Sequence, residues 1–182
     1  MIWCEMSLVV LISIVIETIS NGDQCLFLIR YLRSLGAVTM AMVFKSANTA
    51  SGTRILSTTD TNGFRWGQNG TQWIGGFAAA TFTVDTVVAD TTWHHVVIRF
   101  DGTQPDNASK VQVRLDATPS SLTFTGTVGT TTSATSSTFY GGVDSTGNSN
   151  YWDGDLGELM FWTRAFRQMC SVLPSRVSPI RK

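Results

Sequence analysis

Four groups of residues have types and spacings that could do chemistry. The first is Asp153-x-Asp155-x-x-Glu158. Alternate residues of a strand share a face, and two carboxyls about 5–5.5 Å apart can serve a retaining glycosidase as nucleophile and general acid. Gly154 and Gly157 interrupt the set and point to a turn and a bulge. The expectation is therefore no enzyme, with Asp153, Asp155 and Glu158 as the catalytic alternative. The second group is Asp144, Asn148, Asn150 and Asp153, hard oxygen donors within ten residues of a glycine-containing loop, which is donor chemistry suited to calcium. Such residues also simply make turns. The third is aromatic: Trp66, Trp73, Tyr140, Tyr151 and Trp152 lie near expected turns, beside Gln68, Asn69, Gln72 and Asn150. Flat rings stack on the C–H faces of sugars while neighbouring amides bond the hydroxyls, so these five are the candidate ligand contacts. Core or rim packing is the competing use of the same rings. Trp93 and Trp162 are assigned to packing. The fourth group is the adjacent pair His94 and His95, which point to opposite faces of a strand and so cannot easily share a metal. No Ser-His-Asp arrangement and no glycine-rich phosphate loop can be read.

The elements that must position these residues are short strands. Trp93 to Gly102 reads as one strand and its exit turn, with Val96, Ile98 and Phe100 on one face. Leu156 to Trp162 has the same character and is expected to share its core. Val38, Met40, Met42 and Phe44 alternate with smaller residues, and Val111, Val113 and Leu115 alternate with polar ones. Arg54 to Ser57, Thr81 to Val88, Ser121 to Thr125 and Phe139-Tyr140 are further short strands, and Asp101 to Ser109 a polar loop. Asn69-Gly70 between Phe64-Arg65-Trp66 and Gln72-Trp73-Ile74 predicts a hairpin with a type I′ turn. Many short alternating segments with no convincing amphipathic helix predict an antiparallel sandwich or barrel.

Composition sets the outer bounds. The 182 residues suit one domain, and 13 basic against 13 acidic side chains give no net charge and no clustered basic footprint for nucleic acid. Residues 1–34 are an atypical hydrophobic extension. Their apolar run from Leu8 to Ile16 is too short to span a bilayer, which takes roughly twenty residues, and a signal peptide, a sheet-completing strand, a buried helix or a misread start all remain open. Residues 167–182, with Pro174 and Pro179, read as a tail. Cys4, Cys25 and Cys170 form no disulfide framework.

Three ordered segments carry a family resemblance. Trp93-His94-His95-Val96-Val97-Ile98-Arg99-Phe100-Asp101-Gly102 resembles the "W-H-H-V-A-V-x-Y-D-G" strand of laminin G-like domains in the concanavalin A-like lectin/glucanase superfamily. Tyr151 to Phe166 is similar to its closing strand, and Val38 to Phe44 to its opening one. Asp116-Ala117 stands where the family usually has an Asp-Gly or Asn-Gly turn. The resemblance covers roughly residues 35–166 and implies an all-β, antiparallel jelly-roll sandwich with irregular extensions at both ends. It implies a non-catalytic recognition module whose partner is a glycan or a protein surface, with no membrane span. It further implies an extracellular, cell-surface or virion setting such as a phage tail, and calcium at the rim as an optional cofactor. Jelly-roll glycoside hydrolases use a related "E-x-D-x-x-E" strand, in which Asp153 here replaces the first Glu. A purely structural domain is the third possibility.

Overall fold

The computed structural model describes residues 11–15, 25–27, 34–47, 53–58, 63–77, 79–88, 90–132, 139–142 and 152–163. Their strands are β1 (Leu11–Val15), β2 (Cys25–Phe27), β3 (Ala37–Ser46), β4 (Arg54–Thr58), β5 (Arg65–Asn69), β6 (Gln72–Phe77), β7 (Ala80–Val88), β8 (Trp93–Asp101), β9 (Val111–Leu115), β10 (Thr118–Ser120), β11 (Leu122–Thr125), β12 (Phe139–Gly141) and β13 (Gly154–Trp162). A single helical turn, α1 (Asn107–Lys110), breaks the series. The strands form two antiparallel sheets, ordered β1-β13-β3-β8-β9-β10 and β11-β7-β6-β5-β4-β12-β2. The chain is thus an all-β, two-sheet antiparallel sandwich, as the alternation predicts. No helix among the described residues is long and apolar enough to cross a membrane.

The period-2 pattern explains the inner faces. Val38, Met40, Met42 and Phe44 of β3 pair in register with Phe100, Ile98, Val96 and His94 of β8, and all eight are buried. Val111, Val113 and Leu115 continue that face onto β9, and Leu156, Leu159 and Phe161 onto β13. Full burial of each large aliphatic or phenylalanine side chain contributes roughly 1.5–3 kcal/mol. Aromatic contacts join the sheets across the core. Phe44 meets Trp73 edge-on at 4.9 Å, and Phe77 stacks on Phe100 at 4.6 Å.

Several local readings change. Asp101 to Ser109 is not all loop: Asp106 caps α1 by accepting the Ser109 N–H at 2.8 Å, an ordinary N-cap bond. The β5–β6 hairpin pairs Asn69 with Gln72, so Gly70 and Thr71 are its central residues. Only Gly70 has positive φ (61°), which is the pattern of a type II′ turn with glycine first, not I′. The I′ pattern occurs instead at β9–β10, where Asp116 and Ala117 both have positive φ, 50° and 65°. At the exit of β8 Gly102 lies against the Thr130 backbone, and a Cβ there would run into the Thr130 carbonyl. The apolar run near the N-terminus supplies β1, which pairs with β13 from Leu11–Trp162 to Val15–Glu158. The segment from residue 164 onward, including the expected tail, lies outside the described residues.

Candidate functional site

The aromatic candidates separate first. Trp66 and Trp73 face the interior from β5 and β6 and are fully buried, and Trp152 is 3% exposed. Trp66 stacks on Trp73 at 6.1 Å, and Trp152 lies 6.4 Å from Trp73. Rings enclosed by one another and by Phe44 present no face to a ligand, so the expectation that Trp66, Trp73 and Trp152 contact a glycan is corrected: they are core. Nearness to a turn misled here because the hairpin places its large rings on the inner face of the sheet. Tyr140 lies on β12 in register with Ser57, and Tyr151 lies outside the described residues. Trp93 is the opposite correction. Assigned to packing, it is 52% exposed, the one large apolar side chain so presented among the described residues.

The carboxylates separate too. Between Leu156 and Leu159 the β13–β3 register shifts, so Gly157 and Glu158 together oppose Val43. This is the bulge that the glycines suggested, and Glu158 stands exposed on it. Asp153 precedes the strand, and its carbonyl accepts the Ala47 N–H at 2.7 Å. The straight alternating strand on which a catalytic trio of Asp153, Asp155 and Glu158 depends is therefore not formed. Of the calcium candidates Asp153 is half-buried, while Asp144, Asn148 and Asn150 lie outside the described residues.

What the fold does assemble is a corner at the start of β8. The alternation of this strand sends Trp93 and His95 to the outer face and His94 into the rim of the core, where it is 6% exposed. His94 Nδ1 lies 2.7 Å from Asp116 Oδ2, and Nε2 lies 3.0 Å from Asp90 Oδ1. Its ring is edge-on to Trp73 at 5.8 Å. Burial disfavours the charged imidazole, but the hydrogen bonds and charges of Asp116 and Asp90 together outweigh it and raise the pKa above the ordinary histidine value. Asp90 also accepts the Thr92 hydroxyl and N–H, both at 2.7 Å, and these bonds lead in holding its carboxyl below the usual range. Asp116 accepts the His95 N–H at 3.0 Å, so one carboxylate serves both histidines. Both ring nitrogens of His94 face carboxylates, and Nε2 also lies 3.4 Å from the Thr92 hydroxyl. The cluster ties two turns to the strand end. No group of three or more His, Cys, Asp or Glu among the described residues is placed to hold a metal ion.

On the outer face, strand register places Lys45 of β3 beside Trp93 and Asp155 of β13 beside Lys45. The sequence hides this row, because Trp93 and Asp155 are 48 and 110 positions from Lys45 and only sheet order brings them together. Elsewhere, a groove of about 490 Å³ between β9 and β11 is lined by Gln112, Arg114, Pro119, Ser120 and Leu122 among others. It offers no carboxylate, imidazole or aromatic ring.

Comparison with known proteins gives the same architecture. A family model described as the concanavalin A-like lectin/glucanases superfamily matches residues 22–169. The CBM40 domain of the Ruminococcus gnavus IT-sialidase superposes with a TM-score of 0.64 at 10% identity, over 85% of this chain and 93% of that one. That domain is also known with α2,3-sialyllactose bound. A heptameric SAP-like pentraxin from Limulus polyphemus matches at 0.59 and 14% identity, over 85% and 76% of the two chains. Domains LG4-5 of the mouse laminin α1 chain match at 0.55 and 12%, over 80% and 40%. At such identities the likeness is one of fold. No curated protein sequence matches the chain.

Proposed function

The chain belongs to the concanavalin A-like lectin/glucanases superfamily, and from that premise we propose that it is a non-catalytic recognition module for glycans or protein surfaces, working outside a cell or on a virion. The observation that carries this reading is Trp93, a large ring at a strand end, presented to solvent beside Lys45, with Asp155 on the next strand, while the other described indoles on β5, β6 and before β13 are spent on the core. An aromatic body with a few placed polar groups is the usual make-up of a small-ligand site. The sugar-bound CBM40 domain supports a glycan as the first ligand to try. Tyr140 and Tyr151 stay in the proposal as further contacts.

Calcium belongs to the proposal as an optional partner. The donor set Asp144, Asn148, Asn150 and Asp153 is all carboxylate and amide oxygen, which suits a hard cation. The test is a glycan array probed with the whole chain, with calcium and with chelator, beside hydrolysis assays on a β-glucan panel. The expected result is saturable binding to a restricted set of glycans with no hydrolysis. Turnover that disappears in Glu158→Gln would establish the hydrolase instead, and an empty array with a folded protein would leave a protein surface or a purely structural role.

A further inference from the structure

We propose that the corner around Trp93 is the ligand plate of this module and that it takes an uncharged saccharide; the inference rests on the recognition reading above. Three adjacent strands place Asp155, Lys45 and Trp93 in one row on the outer face of the six-stranded sheet. With strands 4.7–4.9 Å apart, the row is roughly 10 Å long, the scale of a short oligosaccharide. Trp93 supplies a flat face at one end. Lys45, half-buried and with no ion-pair partner among the described residues, supplies ammonium donors in the middle. Asp155 supplies acceptors at the far end. On the other flank Asp116 and Asp90 are 46% and 53% exposed and are held in place by His94.

A sugar hydroxyl both donates and accepts, so a plate that pairs the Lys45 donor with flanking carboxylate acceptors matches a polyhydroxylated ring. Charge decides the class of sugar. The carboxylates of Asp90, Asp116 and Asp155 outnumber the Lys45 ammonium, so the corner offers no net positive field. A carboxylated or sulfated sugar would face three carboxylates, and like charges brought together across an interface cost several kcal/mol. The CBM40 neighbour is known with a sialylated ligand. This corner is built for a different one.

The test uses the whole chain and two readouts. Binding of cellotetraose, xylotetraose, laminaritetraose and N-acetyllactosamine is measured by calorimetry beside 3′-sialyllactose and a heparin disaccharide. Iodide quenching of tryptophan emission is followed in parallel in the parent and in Trp93→Ala, whose difference reports Trp93 apart from half-buried Trp162, while Trp66, Trp73 and Trp152 are shielded. At least one uncharged oligosaccharide is expected to bind and to protect the iodide-accessible emission, with affinity falling at least tenfold in Trp93→Ala and Lys45→Ala at unchanged melting temperature. A Trp93→Ala protein that keeps its affinity overturns the site while leaving the module reading intact. Binding of the acidic ligands alone, lost in Trp93→Ala, overturns the charge class. No binding of any saccharide by folded protein overturns the glycan reading and this inference together.

Discussion

At the scale of single residues, two tryptophans with the same chemistry stand in opposite circumstances. Trp73 touches Phe44, Trp66, Trp152 and His94 and is wholly enclosed. Trp73→Ala is expected to cost about 3–5 kcal/mol, through lost transfer energy and the cavity left behind. Trp93→Ala is expected to stay within about 0.5 kcal/mol of the parent, as for other surface changes. Urea denaturation of the two variants checks the contrast, and equal losses would remove the distinction between core and plate. His94 gives a pH prediction. Its folded pKa is raised above the unfolded value of about 6.5, so its contribution is complete below that value and fades as pH rises through the folded pKa. The denaturation midpoint should fall from mildly acidic to mildly alkaline pH, and His94→Gln should flatten that slope. Asp90 and Asp101 act oppositely. Both are held below the ordinary 3.8, led by the Thr92 and Thr103 hydroxyls respectively, so their contribution is present above that value and lost as pH falls through the folded pKa.

At the scale of elements, turns are where local sequence and final geometry part. Asn69-Gly70 announces a hairpin, and the hairpin forms, but pairing of Asn69 with Gln72 moves the turn one residue along. Asp116-Ala117 announces a weakened turn, and the backbone nevertheless takes positive φ at both positions. An alanine there bears the left-handed penalty that glycine escapes. Ala117→Gly should therefore stabilise the protein by about 1 kcal/mol, read as a higher thermal or urea midpoint. An unchanged or lower midpoint would mean that the strain is relieved elsewhere. The first position of the turn keeps the Asp of Asp-Gly, and its carboxylate bonds His94 and His95.

At the scale of the whole molecule, β1 is the edge of the six-stranded sheet and lies outside the segment that matches the family model. Without it, nine-residue β13 would present a row of unpaired backbone groups along one side, a template for pairing with another chain. A protein lacking residues 1–20 is expected to melt lower and to self-associate. Sedimentation velocity checks this, and a monomer of unchanged melting temperature would make β1 dispensable. The aliphatic run alone leaves strand and helix equally open, because a short continuous apolar segment has no diagnostic period. Its partner, β13, lies about 150 positions away.

Alternation in β3, β8, β9 and β13 by itself determined which side chains fill the interior, since a pleated strand sends every second residue to the same face and those residues are apolar here. The motifs of the same strands determined the superfamily, and the glycines around Asp155 determined the bulge that breaks up the carboxylate trio. Only the tertiary structure decided which tryptophans are enclosed. An indole reads the same in sequence whether a second sheet covers it or water does. Only sheet order decided that Asp155, Lys45 and Trp93 form one row and that two distant aspartates clasp His94. Such contacts follow from strand pairing across long stretches of chain, and no local pattern of residue types encodes that pairing.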